Sequence, residues 1–358
     1  MTPNPLRVAI IGMGFGSRVQ LPVFAAHPET RVVALCSGTL ARAKAAAAEY
    51  RIEHFTDDYR EAVARPDVDL VSIVTPPDLH EPITIAALRA RKHVLCEKPF
   101  ALSVRDARHM LAAARRAKRS GFLDHEFRYL PVRRRAKDLV DDGWLGQLQR
   151  IAIVEASPWM AASSILRFGW QSRSKSGGGV LGALGSHLID YCRWLGGEIS
   201  EVSATLQTKV RQRERVEGPR GSVDADDNFS LRLVLSGGAL ASIDVSATAG
   251  ASFSSISIFG SKGALTIRND EELFGLRAGR DPVRVTAPSR YPREFADKHR
   301  LMGPFYVLVS EMLESLEGRP SSVPTFEDGV RVQEVLDAAR ASSRSGRVVR
   351  LGSRRRAA

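Results

Sequence analysis

The first patterned stretch is an unbroken apolar run, Val8-Ala9-Ile10-Ile11, and runs of the same kind recur at 31–36, 68–74, 93–96 and 121–124. Runs without polar alternation suit strands covered on both faces, as in a parallel sheet. Between them the period becomes helical, at 17–27, in the alanine-rich 40–50, and at 57–64, 81–90 and 104–119. Strands alternating with helices in this way predict a doubly wound parallel sheet with right-handed crossovers.

Beyond a basic helix at 131–142 the pattern changes. Alternating segments at 149–156, 201–210, 229–235, 239–247, 254–259 and 264–267 read as half-buried strands. Short glycine turns, such as Ser236-Gly237-Gly238 and Ser261-Lys262-Gly263, predict antiparallel pairing. Helices are expected at 180–195, 304–317 and 326–342, and the charged, turn-rich 211–227 reads as a mobile hairpin loop. The expected fold is therefore α/β. A dinucleotide-type doubly wound domain occupies 1–123, and an α+β domain with an open, mainly antiparallel sheet occupies 124–350, followed by a basic tail at 351–358. The second domain is expected to bind substrate and to form a homo-oligomer (dimer or tetramer) through its open sheet face.

Size and charge narrow the options. With 358 residues there is room for two cores. No apolar run is long enough to span a membrane, and the first residues lack a basic-then-apolar signal segment, so a cytoplasmic location is expected. Cys36, Cys96 and Cys192 are too scattered for a disulfide framework or a metal set, and Cys36 and Cys96 read as buried thiols. The net charge of +12 raises the question of a nucleic-acid partner. The basic clusters at 115–119, 133–135 and 354–356 are spread apart, without aromatic interleaving or a recognition motif. They read as a solvated arginine surface rather than a nucleic-acid site.

The chemistry begins where the first apolar run ends, at Gly12-Met13-Gly14-Phe15-Gly16-Ser17. In a dinucleotide turn the first glycine permits the bend and the second lets the backbone approach a pyrophosphate. The third position keeps helix and strand close, and Ser17 is small enough for that place. At the end of the second strand, Ser37-Gly38-Thr39-Leu40-Ala41-Arg42 carries no carboxylate to select a free ribose, whereas hydroxyls and Arg42 suit a phosphate. NADP(H) is therefore favoured over NAD(H). Lys98 follows a buried strand, where an ammonium can hydrogen-bond a reacting oxygen.

Four segments, Gly12 to Ser17, T-P-P-D-L-H at 75–80, K-H-V-L-C-E-K-P at 92–99 and G-G-G-V-L-G-A-L-G-S-H-L-I-D at 177–190, resemble the Gfo/Idh/MocA oxidoreductases over nearly the whole chain. The resemblance implies an N-terminal Rossmann domain, a C-terminal open-sheet domain and NAD(P)-dependent chemistry, mostly on sugars and polyols. It implies that Lys98 and His187 are catalytic and that Gly12, Gly14, Phe15, Gly16, Ser37, Gly38, Arg42, Thr75, Pro76, His80, Glu97 and Lys98 contact the cofactor. By their own surroundings His80 and His93 read as structural. Asp190, three positions after His187, can orient the imidazole or pair locally. Many members carry an aspartate where this chain has Ala183, so Glu126 and Asp124, beside Arg128, are candidates for the acid. Glu126, Arg128, Trp170 and Asp190 are candidate substrate contacts, and Trp159, Phe168 and Trp170 can either stack on a sugar ring or pack in the core. No metal is expected. The leading reading is a dehydrogenase or reductase acting on a carbohydrate or polyol hydroxyl or ketone. The alternatives are a glycosidase that oxidises its sugar transiently on bound NAD, and a non-catalytic dinucleotide-binding regulator.

Overall fold

The computed structural model describes residues 5–295 and 298–352, which form two compact units. Arg354, Arg355 and Arg356 of the basic tail lie outside the described residues. The first unit comprises Met1–Tyr129 and Ser289–Val330, the second Leu130–Pro288 and Arg331–Ala358.

In the first unit six parallel strands run in the order 3-2-1-4-5-6. They are β1 (Leu6–Ile11), β2 (Thr30–Cys36), β3 (His54–Thr56), β4 (Leu70–Ile73), β5 (His93–Cys96) and β6 (Gly121–Leu123). This is the doubly wound dinucleotide order, in which ligands bind beyond the carboxyl ends of the strands. The apolar run of β1 has a simple cause. Val8 and Ile10 enter the core layer on one face, Ala9 and Ile11 the layer on the other, and all four are buried. Helices α1 (Leu21–Ala26), α2 (Leu40–Tyr50), α3 (Tyr59–Ala64), α4 (His80–Arg89) and α5 (Val104–Ala117) connect the strands. Ser103 caps α5, accepting from the Asp106 N–H at 3.2 Å while its hydroxyl donates to the Asp106 carboxylate at 2.7 Å. Among the polar residues buried in this unit, Ser72 in β4 and Gln20 ahead of α1 meet, the Ser72 hydroxyl donating to Gln20 Oε1 at 2.5 Å.

The second unit is built on a nine-stranded sheet. Its principal strands are β7 (Leu148–Ala156), β8 (Ile199–Gln207), β11 (Asn228–Leu235), β12 (Leu240–Ser246), β13 (Phe253–Gly260) and β14 (Gly263–Arg268), with β9 (Gln212–Arg213) and β10 (Gly221–Ser222) forming a separate hairpin. Every second residue of β11, from Phe229 to Leu235, is buried. The sheet is mainly antiparallel, as expected, and includes a parallel pair: β7 pairs parallel with β12 and antiparallel with β13. The chain between β7 and β12 makes a long excursion through a helix and strands β8 to β11, which removes the need for a hairpin. Helix α6 (Pro131–Asp141) precedes β7, and α7 (Ser186–Gly196) lies within that excursion. The 211–227 stretch, read as a hairpin loop, contains the paired β9–β10 hairpin, with Arg213 and Asp227 buried. Arg133, assigned above to a solvated surface, is fully buried and pairs with Asp270 at 2.7 Å and Glu155 at 3.3 Å. A cluster of arginines in sequence thus hides a core cation whose cost of burial is offset by two carboxylates.

Helix α8 (Met302–Leu316) packs into the first unit's core through Phe305, Leu308 and Met312. In the same unit Thr325 bridges antiparallel to Phe122 at the β6 edge, and Phe326 at the start of α9 (Phe326–Ser345) joins the core.

Candidate active site

The nucleotide turn is shaped by one glycine that nothing else could replace. Gly12 sits at φ +113°, and a Cβ there would lie 2.2 Å from the Val74 carbonyl oxygen. Its own N–H donates to Cys36 O at 2.8 Å, stitching the carboxyl ends of β1 and β2 together. A Cβ on Gly14 would meet nothing within 4 Å, so the backbone there is open to a ligand. A Cβ on Gly16 would sit 3.4 Å from Ile10 and 3.5 Å from Val74, so Gly16 takes the packing position. That role was expected of Ser17, whose hydroxyl instead turns back to Met13 O at 2.9 Å. The helical turn Gly16–Gln20 has no side-chain cap and no acidic residue, so its first N–H groups remain available to an anion. Phe15 stands edge-on to His299 at 6.2 Å.

The other strand ends complete the rim. Ser37 is buried, while Gly38, Thr39 and Arg42 are exposed. Thr39 at the N-cap of α2 makes no capping bond and the first turn of that helix is free of acids. After β4, Thr75 Oγ1 is buried without a hydrogen-bond partner among the described residues. His80 Nε2 lies 2.9 Å from Thr75 O and Nδ1 3.1 Å from Pro99 O. Burial holds its pKa below the usual imidazole value. His80 thus stands between two loops, with Nε2 toward one carbonyl and Nδ1 toward the other, and its single N–H in the neutral form donates to one of them. An open backbone at Gly14, uncapped helix starts and the orphaned Thr75 hydroxyl fit a dinucleotide at this edge.

After β5 the chain turns through Glu97 and Lys98 into Pro99, with a cis peptide between the last two. Lys98 is half-buried and Glu97 buried. Gln20 Nε2 donates to Glu97 Oε1 and to Asp124 Oδ2, both at 2.9 Å. Asp124 and Glu126, at the end of β6, are also buried. Arg128, expected near substrate, is buried and turned to the return segment of its own unit. It donates to Ser322 O at 3.2 Å and pairs with Asp328 at 3.2 Å.

In the second unit His187 is buried in the first turn of α7, immediately after a wider helical turn over Leu181–Gly185. Such π-type turns are frequent at functional sites. The glycines before it serve internal contacts. A Cβ on Gly178 would lie 2.5 Å from Trp170 O, and one on Gly179 2.3 Å from Asp226 Oδ1. Asp226 accepts from Leu181 N at 2.7 Å and fixes the start of this helix, and burial pushes its carboxyl up to about 6. Asp190 lies 3.7 Å from Arg193, which is bound in turn to Glu198 at 2.7 Å. Phe168 is packed against Gly221 and carries Arg215 over its ring at 4.6 Å, so hairpin packing claims it. Trp159 packs against the core, and Trp170 is half-buried on a short helical turn.

Residues 6–125 match the profile of an oxidoreductase family with an NAD-binding Rossmann fold, Gfo/Idh/MocA, and residues 133–266 match that family's C-terminal domain. The chain belongs to the Gfo/Idh/MocA family. An uncharacterized oxidoreductase of Synechocystis sp. is 31% identical, with 94% of each chain covered. Levoglucosan dehydrogenase of Pseudarthrobacter phenanthrenivorans is 30% identical, with 74% of this chain and 75% of that protein covered. Among solved structures, levoglucosan dehydrogenase in complex with NADH and L-sorbose superposes with a TM-score of 0.89 at 25% identity, covering 97% of this chain and 99% of that one. This Gfo/Idh/MocA protein is thus an NAD(P)-dependent oxidoreductase with a Rossmann-type first unit and a mainly antiparallel sheet in the second.

Within this Gfo/Idh/MocA chain the first unit gathers Gly12, Gly14, Thr75, Pro76, Glu97 and Lys98 at the carboxyl ends of adjacent strands. Ser37, Gly38 and Arg42 follow the neighbouring strand β2. Sequence reasoning missed Gln20 and Asp226. Gln20 carried a faint signal, as a polar residue within the buried Val19-Gln20-Leu21, whereas Asp226 is hidden among Asp224, Asp227 and Ala225. No group of His, Cys, Asp and Glu side chains able to hold a metal ion occurs among the described residues, and no described helix is long and apolar enough to cross a membrane.

Proposed function

We propose that this enzyme oxidises a carbohydrate or polyol hydroxyl, or reduces the matching ketone, with Lys98 holding the reacting oxygen and His187 exchanging its proton. The observation that carries this is the position of Lys98. It follows the buried strand β5, whose register sets it beside β4 and the Thr75 edge of the nucleotide turn. The bound dinucleotide supplies or accepts the hydride. Lys98 offers three N–H donors to an oxygen on which negative charge develops, and an imidazole titrates in the range where it can both give and take a proton. Levoglucosan dehydrogenase and an aldose-aldose oxidoreductase of Caulobacter crescentus, 27% identical with a TM-score of 0.80, support a carbohydrate substrate. A panel of sugars and polyols assayed for reduced nicotinamide tests this. Sugar release without accumulating reduced cofactor would favour the glycosidase alternative, and cofactor binding with no turnover on any substrate would favour the regulator.

We also infer a preference for NADP(H), supported by the exposed Arg42, the uncapped Thr39 and the absence of an acid in the first turn of α2. Arg42→Ala should weaken NADP(H) binding by about ten- to a hundredfold, the worth of one charge-assisted contact, and leave NAD(H) nearly unchanged. Gly38→Asp should reverse the preference. Fluorescence titration of both cofactors reads these shifts, and wild-type protein that binds NAD(H) more tightly refutes the inference. A homo-oligomer is supported by apolar Val154, Leu240, Phe253 and Phe259 left exposed on the second unit's sheet, and sedimentation reads it directly. Three free, buried cysteines suit a reducing cytoplasm.

A further inference from the structure

We propose that Asp226 is a positioning residue for His187, gripping the wide helical turn over Leu181–Gly185 from which that histidine follows. The proposal rests on the reading of His187 as the group that exchanges the substrate's proton.

The helix that carries His187 begins without a cap of its own. Neither Val180, ahead of the wide turn, nor Gly185, ahead of α7, supplies a capping side chain. The first N–H groups of a helix need acceptors from elsewhere in that case. Two of them find acceptors in one residue 45 positions further along the chain. The Asp226 carboxylate accepts from the Leu181 N–H at 2.7 Å, and the Asp226 carbonyl accepts from the Val180 N–H at 2.8 Å. A carboxylate also suits the positive end of a helix. Gly179, at φ +104°, makes the room for it, since a Cβ there would lie 2.3 Å from Asp226 Oδ1.

The same stretch of chain grips the far end of the turn. Phe229 packs against Gly185, where a Cβ would stand 3.0 Å from the ring's Cζ. The stretch is stiff because it enters the sheet here. Asp227 N–H donates to Gln207 O at 2.9 Å, Ala247 N–H donates to Asp227 O at 3.0 Å, and Phe229 is paired to strands on both sides. A turn with one residue more than an ordinary helical turn is rare, and fixing both of its ends is what keeps it. Each helical N–H bonds a carbonyl four or five positions back, so the carbonyls of this turn carry the backbone of His187. With Asp226 released, the turn can tighten, and His187 moves with those carbonyls. The neighbouring Asp227 holds a different segment, accepting from the Lys209 and Val210 N–H groups at 2.8 Å each.

The test uses the full-length enzyme with cofactor and the best substrate from the sugar panel. It runs at about pH 8, above the value of about 6 to which burial raises the Asp226 carboxyl. Asp226→Ala should lower kcat by about ten- to a hundredfold, with sugar KM and cofactor affinity close to wild type. Asp226→Asn keeps an oxygen for the Leu181 N–H and should recover most of that loss. Asp227→Ala should lower the melting temperature and leave the kcat of the folded protein unchanged. Amide hydrogen exchange over 180–187 should quicken in Asp226→Ala and not in Asp227→Ala. If the alanine variant does not fold, Asp226→Ser, polar but too short to reach the Leu181 N–H, takes its place. A shortened variant with wild-type kcat or wild-type exchange overturns the proposal, as does an equal loss of kcat in Asp226→Asn or in Asp227→Ala. Should His187→Asn instead prove fully active, the reading of His187 falls. The exchange over 180–187 needs no turnover and still decides whether Asp226 holds the turn.

Discussion

Gly12→Ala should abolish measurable dinucleotide binding and lower stability by about 2–4 kcal/mol. Two effects add. An L-residue at φ +113° is strained, and the new methyl would lie 2.2 Å from the carbonyl oxygen of Val74, which is backbone and cannot swing aside. The β1–β4 seam must then open, and the peptide that presents Gly14 to the pyrophosphate moves with it. Gly14→Ala is the matched control, since its Cβ would meet nothing within 4 Å among the described residues. It should keep wild-type stability and lose affinity alone. Chemical denaturation paired with cofactor titration separates the two variants. A Gly12→Ala protein of full stability and full affinity would remove the turn from the nucleotide site.

Lys98→Met should lower kcat by about a hundred- to ten-thousandfold while cofactor affinity changes little. Methionine keeps a similar side-chain length and removes the charge. On the proposed role of Lys98 the loss belongs to the transition state, where the substrate oxygen would gain or shed a proton. Equal losses in kcat and kcat/KM are therefore expected. A rise in KM alone would reduce Lys98 to a ground-state contact.

Much of the first unit was legible because its signals are local. Val8 to Ile11 read as a doubly buried strand and proves to be one, with alternate residues in opposite layers. The same holds for the glycine turn, where the bend at Gly12 is a property of its own backbone, at φ +113°. What could not be read depends on distant partners. Arg133 sits in a run of arginines, and only the fold brings Asp270 and Glu155 to it. Gln20 and Ser72 stand 52 positions apart, and their meeting decides how the carboxyls behind Lys98 are served. The parallel placement of β7 beside β12 was hidden for a related reason: pairing between strands far apart in sequence leaves no turn to read. Before His187 the glycine run is used by internal contacts, Gly178 with Trp170 and Gln171 and Gly179 with Asp226. A small residue signals a close approach but not which group approaches.

Position 183, one turn before His187, carries alanine, and the acid one turn after it, Asp190, lies 3.7 Å from Arg193.

The most direct test of the paired roles of Lys98 and His187 is a double-mutant cycle on kcat/KM with Lys98→Met, His187→Asn and the double variant, using the best substrate from the sugar panel. Two groups serving one proton transfer should fail to add: the double variant should be scarcely slower than the worse single one. Losses that multiply in the double variant would show two independent contributions and contradict the mechanism.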